Sequence, residues 1–202
     1  MTKTRHVLHA LSSIAMLAFV IWVLDAQAAP QDVGESTTSN GPVVHDLPPN
    51  VPGHTEFLDY KNGFRGIAFG TRVGEFKSLE LYRDRKAVKI YRKTDDDLLI
   101  GTASLQNIVY IFVHDKFYAV SLHADAQNGK NLLKVFQAAF GQGAHPEGTP
   151  SDYFWTGKVA SAHLFEDVGG DHEIIGWIGN NELQKDYDQV MQEILLMAAQ
   201  QL

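Results

Sequence analysis

Apolar positions recur at helical spacing in three parts of the chain, and they predict three helices. The clearest pattern covers residues 181–202, where one stripe of a 3.6-residue period is formed by Leu183, Tyr187, Val190, Met191, Ile194, Leu195 and Ala198. A second helix is predicted to end at Phe140, because Gly141 follows it as a C-terminal cap. A shorter helix is predicted over Thr71–Leu79, whose apolar residues share one face.

Runs of β-branched and aromatic residues lie between these helices and predict strands. They cover residues 86–92, 105–113 and 117–123, two segments within 152–166 on either side of Gly157 and Lys158, and residues 173–179. His114 and Asp115 suit the tip of a hairpin, which places Phe112 opposite Phe117. The order αβββ-αβββ-α predicts the α+β class, with an antiparallel sheet and helices packed on one side.

The first 56 residues differ in composition from the rest. A basic start, an apolar run over Leu11–Leu24 and the small-residue site at residues 26–28 predict a secretory signal peptide over residues 1–28. A retained membrane anchor is the alternative, although the run is shorter than the ~20 apolar residues that a spanning helix needs. Residues 29–56, rich in Pro, Gly, Ser and Asn, predict a flexible linker to a single domain over residues 57–202. We therefore expect a periplasmic or secreted protein that has no stable membrane insertion after signal cleavage.

Charge and cysteine content limit the partners and the kinds of site that the chain can have. The chain has 202 residues, a formal net charge of -7 and no run of Lys or Arg longer than two, which argues against nucleic acid as a partner. It contains no cysteine, so disulfide bonds, thiol catalysis, a lipid-modified cysteine and a zinc site of thiolates are excluded. The fold must therefore rest on an ordinary hydrophobic core.

Five stretches of the sequence resemble a family of small exported bacterial proteins with no assigned function. They are "FRGIAFG", "YRKTDDDLLIG", "LQNIVYIFVHDKFYAV", "LLKVFQAAFGQG" and "YFWTGK", and they lie between Phe64 and Lys158. These aromatic and glycine motifs imply a shared fold rather than a shared active site. The αβββ order is also similar to that of β-lactamase inhibitor protein and of the outer-membrane assembly lipoprotein BamE, which bind other proteins.

Candidate chemical motifs are incomplete, and we assign no catalytic, cofactor-binding or metal-binding residue. Gly66 and Gly70 could cradle a phosphate, but no Lys-Ser or Lys-Thr pair follows, which favours a strand that bends into the next helix. His123 and Asp125 could share a strand face, but no third metal ligand is indicated. The acidic and histidine residues over 171–173 follow two glycines and are interpreted as a polar turn, and residues 95–97, three aspartates, as a solvated loop. Serine chemistry lacks its G-x-S-x-G signature.

One histidine–carboxylate pair follows from a predicted turn. If Gly157 and Lys158 form a two-residue turn, Asp152 lies opposite His163 and raises the imidazole pKa above its ~6.5 reference. We interpret this pair as a cross-strand polar contact, with proton transfer as the alternative. Three large aromatic residues of the same region are candidate interface anchors, although burial is their more common role: Tyr153, Trp155 and Trp177.

These observations lead us to expect a non-catalytic exported domain that binds another protein or a cell-envelope component through a sheet face or an exposed edge. An exported hydrolase that uses a histidine–carboxylate pair is the alternative, so enzyme activity stays open at this point. A hydrolase should show a deep pocket with converging polar groups, whereas a binding domain should show an apolar patch or groove. We expect no cofactor in either case.

Overall fold

The fold is built on a seven-stranded antiparallel sheet. The computed structural model describes residues 52–146, 149, 151–167 and 172–201, which belong to one compact unit, Pro48–Leu202. In chain order the elements are α1 (Thr55–Lys61), β1 (Gly63–Phe64), β2 (Ile67–Ala68), β3 (Leu79–Arg85), β4 (Val88–Lys93), β5 (Leu99–Ile100), β6 (Ala103–Ser104), β7 (Asn107–Val113), β8 (Lys116–Ala124), α2 (Ala126–Phe140), β9 (Tyr153–Thr156), β10 (Ala160–Glu166), β11 (Ile174–Asn180) and α3 (Asn181–Ala199). The main sheet has the order β3-β4-β7-β8-β11-β10-β9, and β1–β2 and β5–β6 form two small sheets. The predicted α+β class with an antiparallel sheet is confirmed.

The N-terminal part of the chain lies largely outside this description. The predicted signal peptide over residues 1–28 and the linker as far as residue 51 fall outside the described residues. The last residues of the predicted linker belong to the folded unit, because α1 begins at Thr55.

The helices pack on both faces of the sheet, whereas the sequence pattern predicted one face. On the first face Phe136 of α2 covers Gly176 of β11, where an added Cβ would lie 2.8 Å from the Phe136 ring. The next residue, Trp177, points to the opposite face and contacts Tyr118, which stacks on Tyr187 of α3 at 5.0 Å. β7 and β8 consist mostly of apolar residues and are buried along nearly their whole length. Both faces of these strands must therefore be covered by other elements.

The helix predicted over Thr71–Leu79 is absent. Val73–Glu75 forms only a single 3₁₀ turn, and β3 begins where the predicted helix would end. Phe76 instead enters the aromatic core, with its ring centroid 5.0 Å from that of Phe112. Burial of this ring in tertiary contacts therefore outweighs a weak local helical pattern.

The hairpin between β7 and β8 forms as predicted. His114 and Asp115 have φ angles of 48° and 61°, the positive values that a type I′ turn requires. Phe112 lies opposite Phe117, and their ring centroids are 5.6 Å apart. This aromatic pair lies in the core between the sheet and the segment that contains Phe76.

The first glycine motif also forms a hairpin, without a helix after it. Arg65 and Gly66 have positive φ and join β1 to β2. Gly70 has a φ of 90°, and its N–H donates a hydrogen bond to the Phe117 carbonyl oxygen at 2.8 Å. These glycines therefore set the path of the backbone and do not form a phosphate cradle at a helix start.

The predicted stripe on α3 packs against the sheet only over the first part of the helix. Leu183, Val190 and Met191 are buried, and Tyr187 is half-buried against Tyr118. The C-terminal third differs from the prediction, because two residues of the predicted stripe are exposed there: Leu195 and Ala198. The apolar period continues past the point where α3 leaves the sheet, so periodicity alone overestimates the contact.

Candidate functional site

The outer edge of β3 is the most accessible feature of the main sheet. β3 is paired with β4 on one side, and no other strand of the described chain borders its second side. In an antiparallel ladder alternate residues direct their N–H and C=O groups away from the partner strand, so the open side presents a row of main-chain donors and acceptors. Leu81 and Tyr82 lie on this strand with 49% and 52% of their surface exposed. The edge therefore combines hydrogen-bonding capacity with apolar contact area.

A β-bulge shapes this edge. The register of β3 against β4 shifts between Leu81 and Arg83, which makes Tyr82 the extra residue. The guanidinium carbon of Arg92 lies 3.9 Å from the centroid of the Tyr82 ring, a cation–π contact that orients the exposed ring. Bulges re-aim side chains near functional sites and also limit indiscriminate edge pairing. The bulge thus limits indiscriminate pairing of this edge with other strands.

The opposite edge of the sheet, β9, is covered by the chain itself. Ala144 forms an isolated bridge to Phe154 of β9. The Ala144 N–H donates to the Phe154 carbonyl oxygen at 2.7 Å, and the Phe154 N–H donates to the Ala144 carbonyl oxygen at 2.9 Å. The two edges of the sheet therefore differ. The main chain of β9 is partly hydrogen-bonded by Ala144, whereas no segment of the described chain pairs with the outer side of β3.

Sequence reasoning missed β3, because the first strand was predicted to begin at residue 86. The signal is present in "LELYRDRKAVKIYRK", which contains two strand-forming runs around Lys86. Lys86 has a φ of 60° and lies in the turn between the two strands. A lysine at such a turn gives no composition cue of the kind that Gly or Asn would give, so only the second strand of the hairpin was predicted.

A second arrangement with chemical potential lies on strands β8 and β11. The Ser121 hydroxyl oxygen is 3.0 Å from His123 Nε2, and His123 Nδ1 is 3.0 Å from an oxygen of Glu173. This hydroxyl–imidazole–carboxylate order is that of a serine-hydrolase triad. The sequence pattern indicated His123 and Asp125 as candidate metal ligands, and Ser121 was not predicted. Residues 121 and 123 share a strand face, which is the signal that could have joined them.

Burial limits the chemistry that the hydrogen-bonded side chains of Ser121, His123 and Glu173 can perform. Ser121 is 1% exposed, in a strand that is hydrogen-bonded to neighbours on both sides. A substrate carbonyl therefore cannot approach the Ser121 hydroxyl while β8 keeps this packing. The chain of hydrogen bonds instead satisfies a buried hydroxyl and fixes the His123 ring, which is what buried polar groups require.

The other candidate metal ligands have structural partners. An Asp125 carboxylate oxygen accepts a hydrogen bond from the Asn128 N–H at 2.7 Å and caps α2. His172 Nδ1 lies 2.9 Å from a Glu166 oxygen, and Asp171 lies outside the described residues. Within the described ranges no group of three or more His, Asp or Glu side chains could hold a metal ion.

The predicted pairing of Asp152 with His163 is wrong, because the turn between β9 and β10 is longer than two residues. His163 lies opposite Phe154 in the register. The Asp59 carboxylate causes the wider turn: it accepts hydrogen bonds from the main-chain N–H groups of residues 158, 159 and 160 at 2.8 to 3.0 Å. A long-range contact of this kind leaves no trace in the local sequence.

The predicted rise in the His163 pKa is also wrong. The imidazole stacks on the Phe154 ring at a centroid distance of 4.0 Å and lies 4.6 Å from the Phe165 ring. Burial among these groups lowers the His163 pKa to about 3, because desolvation disfavours the charged imidazolium. His163 is therefore neutral at physiological pH and is an aromatic packing residue.

The loop of three aspartates was predicted to be solvated, but one of its side chains is buried. The Asp96 side chain is only 6% exposed, and its carboxylate pairs with Arg65 at 2.7 Å. It also accepts a hydrogen bond from the Tyr110 hydroxyl at 2.8 Å. Burial, and then this carboxylate, raise the Tyr110 pKa well above its ordinary value.

The candidate aromatic anchors divide between core and surface. Trp155 is buried at 2% exposure, and its indole N–H donates to the Gly141 carbonyl oxygen at 2.9 Å. Trp177 and Tyr153 are half-buried, and the Tyr153 ring stacks on His145 at 4.8 Å. Trp155 is therefore a core residue, and none of the three reaches the exposure of Tyr82.

Searches against protein-family models, curated proteins and solved structures found no match for this chain. The resemblances to a family of exported proteins and to BamE-like folds therefore stay predictions. Among the helices of the described residues, none has both the length and the apolar character to cross a membrane.

Proposed function

We propose that this chain is a non-catalytic exported domain that binds an extended segment of another protein at the edge of β3. The open side of β3, with Leu81 and Tyr82 exposed beside it, is the observation that supports this function. When a peptide adds a strand to a sheet, main-chain hydrogen bonds supply affinity and alternate side chains supply specificity. A partner in the periplasm or at the cell surface agrees with the signal peptide that the sequence predicts.

The experiment that tests this function is photo-crosslinking in the producing cell. A photo-reactive phenylalanine replaces Tyr82, and the matched control replaces Tyr60, a tyrosine of α1 with 59% exposure. We expect one discrete protein adduct from position 82 and none of that size from position 60. Leu81→Pro, combined with the photo-reactive residue at position 82, should abolish the adduct, because proline removes a main-chain donor from β3.

The proposed function would be contradicted by the absence of an adduct at position 82, or by the same adduct from both positions. A melting curve of each variant shows whether the domain stays folded. If Leu81→Pro prevents folding, Leu81→Glu is the second variant, because it removes the exposed apolar side chain and places a charge on the edge strand while it keeps the main-chain N–H.

An exported hydrolase is the second candidate function, and only the hydrogen-bond chain of Ser121, His123 and Glu173 favours it. A fluorophosphonate probe that reacts with activated serine hydroxyls tests this function. Labelling that Ser121→Ala removes would establish a reactive serine. We expect no labelling, because the Ser121 hydroxyl is buried.

A further inference from the structure

We infer that the segment bound at β3 is acidic, an extended peptide of about seven residues that carries Asp or Glu beside its apolar positions. The length follows from β3, which has seven residues. This inference rests on the proposed function, since it names the chemistry of the partner at the same edge. Its basis is the uneven distribution of charge in the chain.

Positive charge is concentrated at the β3–β4 hairpin. Seven of the chain's 17 Lys and Arg residues lie between Lys77 and Lys93, whereas only two of its 24 Asp and Glu residues lie there. The whole chain has a formal net charge of -7, so this hairpin opposes the sign of the rest of the protein. β3 itself carries two Arg, one Glu and one Asp, so the excess of positive charge lies at its two ends and on β4. A net-positive hairpin on an acidic protein attracts acidic partners and repels other copies of the same hairpin.

Two of these cations pair with acidic residues within the described part of the chain, and two others lie at the ends of the edge strand. Lys89 pairs with Asp115 at 2.8 Å, and Lys93 pairs with Asp95 at 3.5 Å. Lys77 and Lys86 are exposed at the two ends of β3. A strand laid along β3 would therefore have a lysine near each of its ends.

Two other occupants of the edge fit these observations less well. A second copy of the chain would bring two net-positive β3–β4 hairpins together, and like charges that face each other are destabilising. An anionic lipid surface would use the lysines, but lipids do not use the row of main-chain donors and acceptors as a peptide strand does. An acidic peptide uses the charges, the main-chain groups and the exposed Leu81 and Tyr82 together.

Three synthetic peptides test the inference on the full-length chain purified after expression. Each has ten residues that alternate Val with Glu, with Gln or with Lys, and binding is measured by fluorescence anisotropy. We expect the Glu peptide to bind at least ~10-fold tighter than the Gln peptide at low salt, with the difference reduced at high salt. The Lys peptide should bind most weakly.

Two variants, each with a pair of charge reversals, test whether the preference for the Glu peptide comes from the lysines beside β3. The variant Lys77→Glu/Lys86→Glu should lose about 10-fold in affinity for the Glu peptide and gain affinity for the Lys peptide. Lys158→Glu/Lys185→Glu makes the same change in net charge on the β9–β10 loop and on α3, and it should bind like the parent. Equal losses in both variants would show a general charge effect and overturn the inference.

The remaining outcomes separate the inference from the proposed function. Binding of all three peptides with equal affinity would overturn the acidic specificity and leave strand addition at β3 intact. Binding of none of them, together with no adduct at position 82, would contradict the function itself. Binding to vesicles with 30% phosphatidylglycerol but to no peptide, or dimer formation through β3 in sedimentation, would assign the edge to a lipid surface or to a second copy and overturn the inference.

Discussion

The Asp96 carboxylate accepts a hydrogen bond from the hydroxyl of Tyr110, a residue of β7, at 2.8 Å. The same carboxylate binds Arg65, which lies in the turn between β1 and β2. Asp96 therefore joins three segments that are distant in sequence. Its two neighbours, Asp95 and Asp97, are exposed, so identical residues in one run have different roles.

Asp96→Ala should lower the free energy of unfolding by about 2 kcal/mol, because it leaves the Tyr110 hydroxyl and the Arg65 guanidinium without their charged acceptor. Asp95→Ala is the matched control and should cause a much smaller loss, since Asp95 is exposed. Urea unfolding at pH 7 measures both. Equal effects of the two substitutions would contradict the bridging role of Asp96.

Helix α2, helix α3 and the β7–β8 hairpin could be predicted from the sequence because their signals are local. A 3.6-residue period, the cap at Gly141 and the His114–Asp115 turn each act within a few residues. The role of Asp96 could not be predicted, because nothing near it in sequence distinguishes it from its neighbours. The covering of both sheet faces also depends on contacts between distant elements.

The sequence predicts the kind of candidate site, an exposed sheet edge, but not the strand that forms it. Leu79 was placed at the end of a predicted helix, and residues 80–85 were assigned to no strand. Exposure of Leu81 and Tyr82 depends on which strands pair, and strand order is a long-range property. The partner of His123 is Glu173, fifty residues away, so the local candidate Asp125 was preferred.

Gly129→Ala should destabilise the protein although alanine favours helices. A Cβ at residue 129 would lie 2.1 Å from Ile174 Cγ1, so α2 would have to move away from β11. Overpacking of this kind costs about 1–3 kcal/mol, which exceeds the gain of up to about 1 kcal/mol from helix propensity. Thermal unfolding measures the difference.

Gly74→Ala is the control for that substitution, because no atom lies within 4 Å of an added Cβ at that position. The double variant Gly129→Ala/Ile174→Ala should show a smaller loss than the sum of its single variants. Full additivity of the two losses would contradict direct packing of Gly129 against Ile174.

The buried imidazole of His163 predicts a specific loss of stability in acid. Its pKa is about 3 in the fold and ~6.5 in the unfolded chain, so the unfolded state binds the proton first as pH falls. The stability from neutral His163 is complete above pH ~6.5 and decreases from there towards pH ~3, by up to about 1.4 kcal/mol per pH unit. His163→Phe should therefore show a shallower decrease than the parent in urea unfolding between these pH values.

Phe140→Leu is the control for the pH experiment, because it removes a core ring that packs on Phe136 and Trp155, and it removes no titratable group. It should lower stability by a similar amount at each pH and keep the slope of the parent. A His163→Phe variant with the parental slope would show that another group causes the acid sensitivity.

Hydrogen–deuterium exchange with and without the acidic Val/Glu peptide tests the β3 edge most directly. Strand addition should slow exchange of main-chain amides in Leu79–Arg85 and leave Tyr153–Thr156 unchanged, because Ala144 already covers the β9 edge. Binding of the peptide with no change in β3, or with protection at β9 instead, would contradict the assignment of β3 as the binding edge.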